Sequence, residues 1–208
     1  MQKYGISLEY NIYLLYIDEV MNIERVINSG KTVFTVKDLK KILDTNNEQT
    51  IRNYLSRGGK KSLFQRLYFG VWALNKFNIF EFATKLKKKS YISFETVLQQ
   101  EGIIFQDYSS LVTLASDNTI TKEAYNKKFT YHKIKDSILL DPMGVVHYKT
   151  YSMASKERAI CDTLYLYPNY YFDNLSSVNY EKLEKISHLY NKRLVLEVKQ
   201  LIEDAKGR

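Results

Sequence analysis

The sequence predicts an α+β protein of two domains, and three features of the chain support this prediction. Its 208 residues are 45% hydrophobic, which is enough to bury one large core or two small ones. Eight Gly and two Pro leave no linker-like or disordered tract. Segments with helical and with strand periodicity are interspersed, and a second region begins near Asn75. We therefore expect domains over residues 1–76 and 77–208.

The first domain begins with a helical pattern over residues 8–29. Apolar residues recur there at i, i+3 and i+4 spacings, from Leu8 to Val26. Gly30 is suited to the left-handed backbone that ends many helices. A short β-type segment follows at Val33 and Phe34. We therefore expect a bent helix, or two short ones, before the first strand.

Two further helices are expected after this strand. The Thr35 hydroxyl can cap the first, and Asp38 three residues later makes a near variant of the capping box. The four residues 44–47 form the turn. The second helix runs over residues 48–57, and we expect Gly58 and Gly59 to end it. The expected inward-facing residues of the two helices are Val36, Leu39, Ile42, Leu43, Ile51, Tyr54 and Leu55.

A hairpin closes the first domain. Residues 62–65 and 67–74 are rich in aromatic residues and predict two strands on either side of Arg66. The order is then helix, short strand, helix, turn, helix and hairpin. This order is the plan of a winged helix-turn-helix domain.

The second domain is expected to be mixed α/β with helices at its carboxyl end. Expected helices cover residues 79–87, 94–100, 155–167, 180–190 and 194–205, and expected strands cover residues 111–115, 128–134, 137–140 and 144–150. Ser93 and Ser155 are the expected caps of the second and third of these helices. A turn at residues 141–144 is expected between the last two strands.

Positive charge is concentrated around the expected hairpin. Residues 49–90 contain ten Lys or Arg and one acid, Glu81, whereas the whole chain has a net charge of +8. The rest of the chain is therefore close to neutral. Localised charge on a helix-turn-helix pattern is typical of a nucleic-acid-binding protein. The lysines at 85, 87, 88 and 89 lie outside the pattern, and either a solvated helix end or a phosphate contact accounts for them.

The outer face of the helix over residues 48–57 carries the candidate DNA-binding residues. With Ile51 and Leu55 facing the core, this face carries Gln49, Thr50, Arg52, Asn53, Ser56 and Arg57. Asn and Gln can pair with adenine, Arg with guanine, and Ser, Thr and Arg can bind phosphates. Because a recognition helix reads bases with its amino-terminal part, the base-reading candidates are Asn47, Gln49, Thr50 and Asn53. The phosphate-binding candidates near the hairpin are Lys60, Lys61 and Arg66. An ordinary solvated surface is the alternative for both sets.

Patterns that indicate an enzyme are sparse. His132, His147 and His188 are isolated, and neither a metal-binding His motif nor a nucleophile or phosphate-loop motif occurs. The single Cys161 excludes an internal disulfide and a cysteine-built zinc site. We expect no cofactor and no metal. The sequence has no signal peptide or membrane-length apolar run, so we expect a cytoplasmic protein without a membrane partner.

One motif leaves a nuclease open as an alternative. Glu197 and Lys199 imitate the Glu-x-Lys half-motif of Mg²⁺-dependent nucleases, with Asp162 or Asp173 as an upstream carboxylate. That chemistry needs a strand to present both side chains together. The apolar residues from Leu194 to Ile202 instead have helical spacing, which would separate them.

Three segments resemble the AbiEi-type antitoxin family. The first, Leu67-Tyr68-Phe69-Gly70-Val71-Trp72-Ala73-Leu74, resembles the end of the family's winged domain, an arginine- and aromatic-rich stretch followed by Gly-Val-Tyr. The second is Tyr91-Ile92-Ser93-Phe94-Glu95-Thr96-Val97-Leu98 with Glu101-Gly102-Ile103, and the third is Ser155-Lys156-Glu157-Arg158-Ala159-Ile160-Cys161-Asp162. They occur in the family's order. The chain departs from the family at Trp72, where Tyr is usual, and in its long amino-terminal helix.

The resemblance implies a specific function. AbiEi-type proteins are antitoxins of type IV toxin–antitoxin and phage-defence systems. They bind inverted or direct repeats in their own promoter through the winged domain and repress the operon. Their second domain counters a toxin that resembles a nucleotidyltransferase. A DNA-binding repressor without a toxin partner remains a further alternative.

Residues in the third of these segments also have ordinary structural explanations. Ser155 can cap the helix, and Glu157 in the first turn complements the helix dipole. Asp162 can bond to a neighbouring backbone group. We expect structural roles for all three.

Overall fold

The computed structural model describes residues 22–60, without the Lys60 side chain, and residues 63–207. The chain divides into two compact units between Asn78 and Ile79. Both units combine helices with strands, so the α+β class is confirmed. The helix expected before residue 22 lies outside the described residues. Within the described part of the chain, no helix is long and apolar enough to cross a bilayer.

The first unit contains a small antiparallel sheet and three helical segments. Its elements are residues 22–28 (α1), Val33–Thr35 (β1), Val36–Ile42 (α2), Glu48–Lys60 (α3), Phe64–Tyr68 (β2) and Val71–Leu74 (β3). The sheet has the order β1-β3-β2, so β3 is central. Gly30 has the left-handed backbone (φ 69°) expected after α1. The capping box is confirmed, because Thr35 Oγ1 accepts from the Asp38 amide and Asp38 Oδ2 accepts from the Thr35 amide.

Apolar side chains from every element fill the core of the first unit. Its buried members are Val26, Phe34, Leu39, Leu43, Ile51, Leu55 and Phe64. Burying a side chain of this size contributes about 1.5–3 kcal/mol. The inward positions expected for α2 and α3 are therefore confirmed, with Val36, Ile42 and Tyr54 partly buried at the edge of this core.

Two expectations for the first unit were wrong. Gly58 and Gly59 do not end α3, which continues to Lys60. A Cβ at Gly58 would overlap the Phe64 ring (2.8 Å to Cε2), so this glycine admits the ring instead of ending the helix. The hairpin also does not turn at Arg66. It turns at Phe69 and Gly70, where Gly70 has the positive φ of 71° that the turn requires. Arg66 lies within β2, opposite Trp72.

The second unit is built on a six-stranded mixed sheet of order β6-β7-β5-β4-β9-β8. Its strands are Ser90–Ile92 (β4), Leu111–Ser116 (β5), Ile120–Ala124 (β6), Lys127–Lys133 (β7), Val145–His147 (β8) and Ser152–Ala154 (β9). Its helices are Ile79–Leu86 (α4), Glu95–Gln100 (α5), Asp136–Leu139 (α6), Lys156–Leu166 (α7), Tyr180–Ser187 (α8) and Lys192–Lys206 (α9). The expected helices at the carboxyl end are confirmed. Helix α7 contacts α5, α8, α9 and β9, so it lies at the centre of this unit.

The expected strand over residues 137–140 was wrong, because this segment is the helical turn α6. Ile138 and Leu139 are both buried, whereas Leu140 is 69% exposed. Two consecutive buried residues do not fit the alternation of a half-buried strand, but they fit one helical turn. The strand expected over residues 144–150 is shorter, since the chain turns back after His147 to pair with β9.

The expected Ser93 cap was also wrong. Phe94 occupies the N-cap position of α5 at φ 56° and makes no side-chain cap. Thr113 from β5 supplies the missing acceptor, because its Oγ1 receives the Thr96 amide at 3.1 Å. The Ser93 hydroxyl is therefore available for a different buried contact, described below. Ser155 does cap α7, as expected, by accepting from the Arg158 amide.

Candidate nucleic-acid interface

Helix α3 presents its polar face to solvent. Ile51 and Leu55 are almost completely buried, which fixes the rotation of the helix about its axis. The residues on the opposite face are all exposed: Gln49, Thr50, Arg52, Asn53, Ser56 and Arg57. The structure therefore brings these six candidates together on one surface.

Asn47 has a local role at the start of this surface. Its Oδ1 accepts hydrogen bonds from the backbone amides of Gln49 and Thr50, at 2.9 and 3.2 Å. It therefore caps α3, and its carbonyl oxygen is engaged within the chain. A side chain bound in this way positions the end of the helix. Asn47 as a whole is exposed.

The other polar residues of α3 form hydrogen bonds and ion pairs on the exposed surface. Gln49 Nε2 donates to Asn53 Oδ1 at 3.0 Å. Arg52 Nη2 donates to Glu48 Oε1 at 2.6 Å, and Lys40 Nζ lies 3.7 Å from the other Glu48 oxygen. The two cations lower the pKa of the Glu48 carboxyl. Exposed pairs of this kind contribute little to stability and exchange readily for bonds to a partner.

The β2–β3 hairpin adds one cation and one aromatic ring. The Arg66 guanidinium is exposed and lies 5.5 Å from the centre of the Phe69 ring, within cation–π range. The Phe69 side chain is 84% exposed at the turn. Sequence reasoning placed Phe69 within a family motif but not among the candidate binding residues. A large aromatic residue directly before the turn glycine was the available signal.

The remaining basic residues of the segment 49–90 differ in their surroundings. Lys61 lies outside the described residues, as does the Lys60 side chain, so their expected phosphate contacts stay predictions. Lys76 is exposed just beyond β3. Lys87 forms an ion pair with Asp117 of the second unit. The local positive charge is therefore lowered by acids that lie outside residues 49–90.

The sequence motifs of the second unit meet in one buried network. The Asp162 carboxylate accepts from Tyr91 Oη (2.9 Å to Oδ2), Ser93 Oγ (2.7 Å) and Tyr190 Oη (2.6 Å). Arg158 Nε lies 3.4 Å from Asp162 Oδ1, and both side chains are fully buried. The expected bond from Asp162 to a neighbouring backbone group is therefore wrong, because four side chains surround its carboxylate.

Arg158 connects this network to the backbone. Its Nη2 donates to Tyr91 Oη (3.0 Å) and to the Ile138 carbonyl (2.6 Å), and its Nη1 donates to the Met143 carbonyl (2.7 Å). The Asp162 charge raises the already high pKa of Arg158 against the opposing effect of burial. Burial raises the pKa of Asp162, and the guanidinium and the hydroxyl donors oppose that shift. Because neither the Arg158 nor the Asp162 side chain is accessible to solvent, the pair belongs to the core and neither of its charged groups can contact a substrate.

Glu157 has a separate structural contact. Its Oε2 accepts from Ser155 Oγ at 2.9 Å and forms an ion pair with Lys182 Nζ at 2.9 Å. These contacts link the start of α7 to α8. They lower the pKa of Glu157, although burial acts in the opposite direction. The structural role expected for Glu157 is consistent with this geometry.

The residues of the nuclease alternative lie on a helix. Glu197 and Lys199 are both within α9, as the apolar spacing indicated. Glu197 accepts from Arg193 Nη1 at 2.6 Å and from the Asn169 amide at 2.5 Å. Because Glu197 and Lys199 are two residues apart on a helix, the carboxylate and the ammonium group point to different sides. Among the described residues, no group of three or more His, Cys, Asp or Glu side chains could hold a metal ion.

No protein-family model and no curated protein matches this chain. The resemblance to AbiEi-type antitoxins therefore rests on the three segments quoted above.

Proposed function

We propose that the first unit is a winged helix-turn-helix domain that binds double-stranded promoter DNA. Helix α3 would lie in the major groove, and the β2–β3 hairpin would be the wing. One observation carries the proposal: α3 exposes six amide, hydroxyl and guanidinium side chains on one face, while its buried residues hold the helix against the core. Such a face offers the donors and acceptors that base edges and phosphates require.

The residues of this face divide by role. Gln49, Thr50 and Asn53 lie in the amino-terminal half of α3 and would read base edges. Arg52 and Arg57 would bind phosphates or guanine. Ser56, Arg66, Lys60 and Lys61 would bind phosphates. Asn47 would act mainly by orienting the first turn of the helix.

We further propose that the chain is the antitoxin of a type IV toxin–antitoxin system that represses its own operon. The second unit would counter a nucleotidyltransferase-like toxin and thereby take part in phage defence. The support is the resemblance, together with the observation that its motif residues Tyr91, Ser93, Arg158 and Asp162 build the polar core of that unit. The motif residues therefore lie in the core of the second unit, and they would support a surface that counters the toxin without forming it.

The experiment uses the full-length protein and the DNA upstream of its gene. Footprinting and a reporter should show protection of repeats and repression. The double variant Arg52→Ala/Asn53→Ala should lose both, whereas the matched exposed pair Lys185→Ala/Gln200→Ala in the second unit, which also removes one cation and one amide, should lose neither. Equal loss in both variants would contradict the placement of the interface on α3.

A growth assay tests the antitoxin part. Cells that express the neighbouring toxin should be rescued by the wild type and also by Arg52→Ala/Asn53→Ala, because rescue is assigned to the second unit. Repression without rescue would favour a repressor that has no toxin partner. Cleavage of DNA or RNA with Mg²⁺ or Mn²⁺ that disappears in Glu197→Ala would instead establish the nuclease.

A further inference from the structure

The lysines before β4 differ in their surroundings. Lys87 is paired with Asp117, so its charge is balanced within the second unit. Lys88 and Lys89 are exposed, and among the described residues no carboxylate lies within 4.0 Å of either ammonium group. Asp117 is held mainly by its bond to Lys87, and the charge of Lys89 adds to the lowering of its pKa. Both Lys88 and Lys89 are nonetheless exposed, so their ammonium groups can reach a ligand.

Both lysines line a groove of about 300 Å³ in the second unit. The groove lies between the start of β4, the end of α6 and the β8–β9 hairpin. His147, Tyr91, Leu140 and Pro142 also line it. The volume is at the lower end of the range for small-molecule pockets, about 300–1,000 Å³.

His147 can supply a third donor. Its Nδ1 lies 2.9 Å from Ser152 Oγ, across the β8–β9 pair in which the two residues are partners. When the Ser152 hydroxyl donates to Nδ1, the ring proton is on Nε2. An anion in the groove could then accept from this N–H as well as from the two ammonium groups.

One residue of the buried network, Tyr91, also lines the groove. The Tyr91 hydroxyl is fixed by bonds from Arg158 and to Asp162. The acid among the lining residues, Asp141, is turned towards its own loop, where Oδ1 accepts from the Met143 amide at 2.9 Å. The lining therefore contains two lysines and one carboxylate, so the rim has a net positive charge and His147 adds a neutral N–H donor.

The wall of the groove next to these cations is apolar. Leu140 is 69% exposed and lines the groove beside the charged groups. Pro142 extends this wall. Cations beside an exposed apolar wall are complementary to a ligand that has an anionic end and a planar, weakly polar end.

We propose that this groove binds a nucleotide. Its phosphate lies between Lys88, Lys89 and His147, where ammonium and imidazole donors match phosphate oxygens. Its base packs against Leu140 and Pro142. The inference concerns the second unit alone and holds whether or not the first unit binds DNA.

Titration calorimetry of the full-length protein tests the proposal. The probes are the four ribonucleoside monophosphates and triphosphates, with inorganic phosphate, pyrophosphate and the free nucleosides as fragments of the ligand. At least one nucleotide should bind more tightly than its nucleoside and than the inorganic anion. Lys88→Gln/Lys89→Gln should weaken this binding by about tenfold or more, as expected for the loss of charged hydrogen bonds.

Two further variants separate the ends of the ligand. Leu140→Ser should weaken binding of the nucleotide but leave that of pyrophosphate unchanged. Lys185→Gln/Lys199→Gln, which removes two exposed lysines elsewhere in the unit, should have no effect. Thermal unfolding checks that each variant is folded. The proposal is overturned if no nucleotide binds at millimolar concentration, if binding persists in Lys88→Gln/Lys89→Gln, or if the control pair loses as much.

Discussion

Two helices of this protein each contain an arginine–carboxylate ion pair, and the two pairs are in opposite environments. In α3, Arg52 pairs with Glu48 at 2.6 Å, and their side chains are 64% and 49% exposed. In α7, Arg158 pairs with Asp162 at 3.4 Å, and neither side chain is exposed. Both pairs have i, i+4 spacing. The buried pair belongs to the fold, whereas the exposed pair leaves its residues free to bind a partner.

The two ion pairs differ in how much water their charged groups lose on folding. The buried charges lost their water and require complete replacement, which Tyr91, Tyr190, Ser93 and two backbone carbonyls provide. The exposed charges remain hydrated, so their pairing is nearly neutral in free energy. An arginine on a helix is therefore a candidate for function only where its hydrogen bonds are not already committed.

Removing the buried arginine should have the largest effect. Arg158→Met leaves the Asp162 carboxylate buried without a counter-charge, and should lower the free energy of unfolding by about 3–5 kcal/mol. Urea denaturation of the full-length protein measures it. The matched variant Arg52→Met should change stability by less than about 1 kcal/mol. Similar losses in the two variants would refute the comparison.

The packing behind α3 should give the next largest effect. Gly58→Ala places a Cβ against the Phe64 ring and should destabilise the first unit by about 1–3 kcal/mol, as overpacking does. Gly59→Ala, where the added Cβ would meet nothing closer than 3.9 Å, is the control and should be neutral or slightly stabilising. Thermal unfolding distinguishes the two. A neutral Gly58→Ala would mean that Phe64 can move aside.

Arg66, in the hairpin, should affect DNA binding only through its contact with a phosphate. Arg66→Ala should weaken specific and random DNA alike and make the dependence of log K on log salt shallower by about one unit. Fluorescence anisotropy over a series of salt concentrations measures this. An unchanged slope would remove Arg66 from the interface.

The smallest effect is expected at Glu48. Glu48→Gln breaks its exposed pairs with Arg52 and Lys40, and the free energy of unfolding should be nearly unchanged. DNA affinity should rise slightly, because one negative charge is removed beside the proposed interface. A fall in affinity would show that Glu48 positions Arg52 for binding.

Local features of the fold were predictable, and distant contacts were not. The capping box of Thr35 and Asp38 involves only four consecutive residues, and the exposed face of α3 follows from the spacing of Ile51 and Leu55. The role of Gly58 depends on Phe64, and glycine serves equally to end a helix and to admit a ring. No local pattern distinguishes these two uses.

The candidate sites follow the same division. The spacing of the apolar residues is sufficient to place the six polar α3 residues on one face. It could not show that Ser93 contacts Asp162, since 69 positions separate the two residues. Nor could it separate Lys87, which has an acid partner, from Lys88 and Lys89, which line a groove.

The most direct test of the account compares one base-reading residue on two DNAs. Asn53→Ala removes an exposed amide without touching the core, and its binding to the operator and to random DNA should be measured at the same salt concentration. We predict a loss of about 1–3 kcal/mol on the operator and little change on random DNA. Equal weakening on both DNAs would contradict the assignment of α3 as the recognition helix.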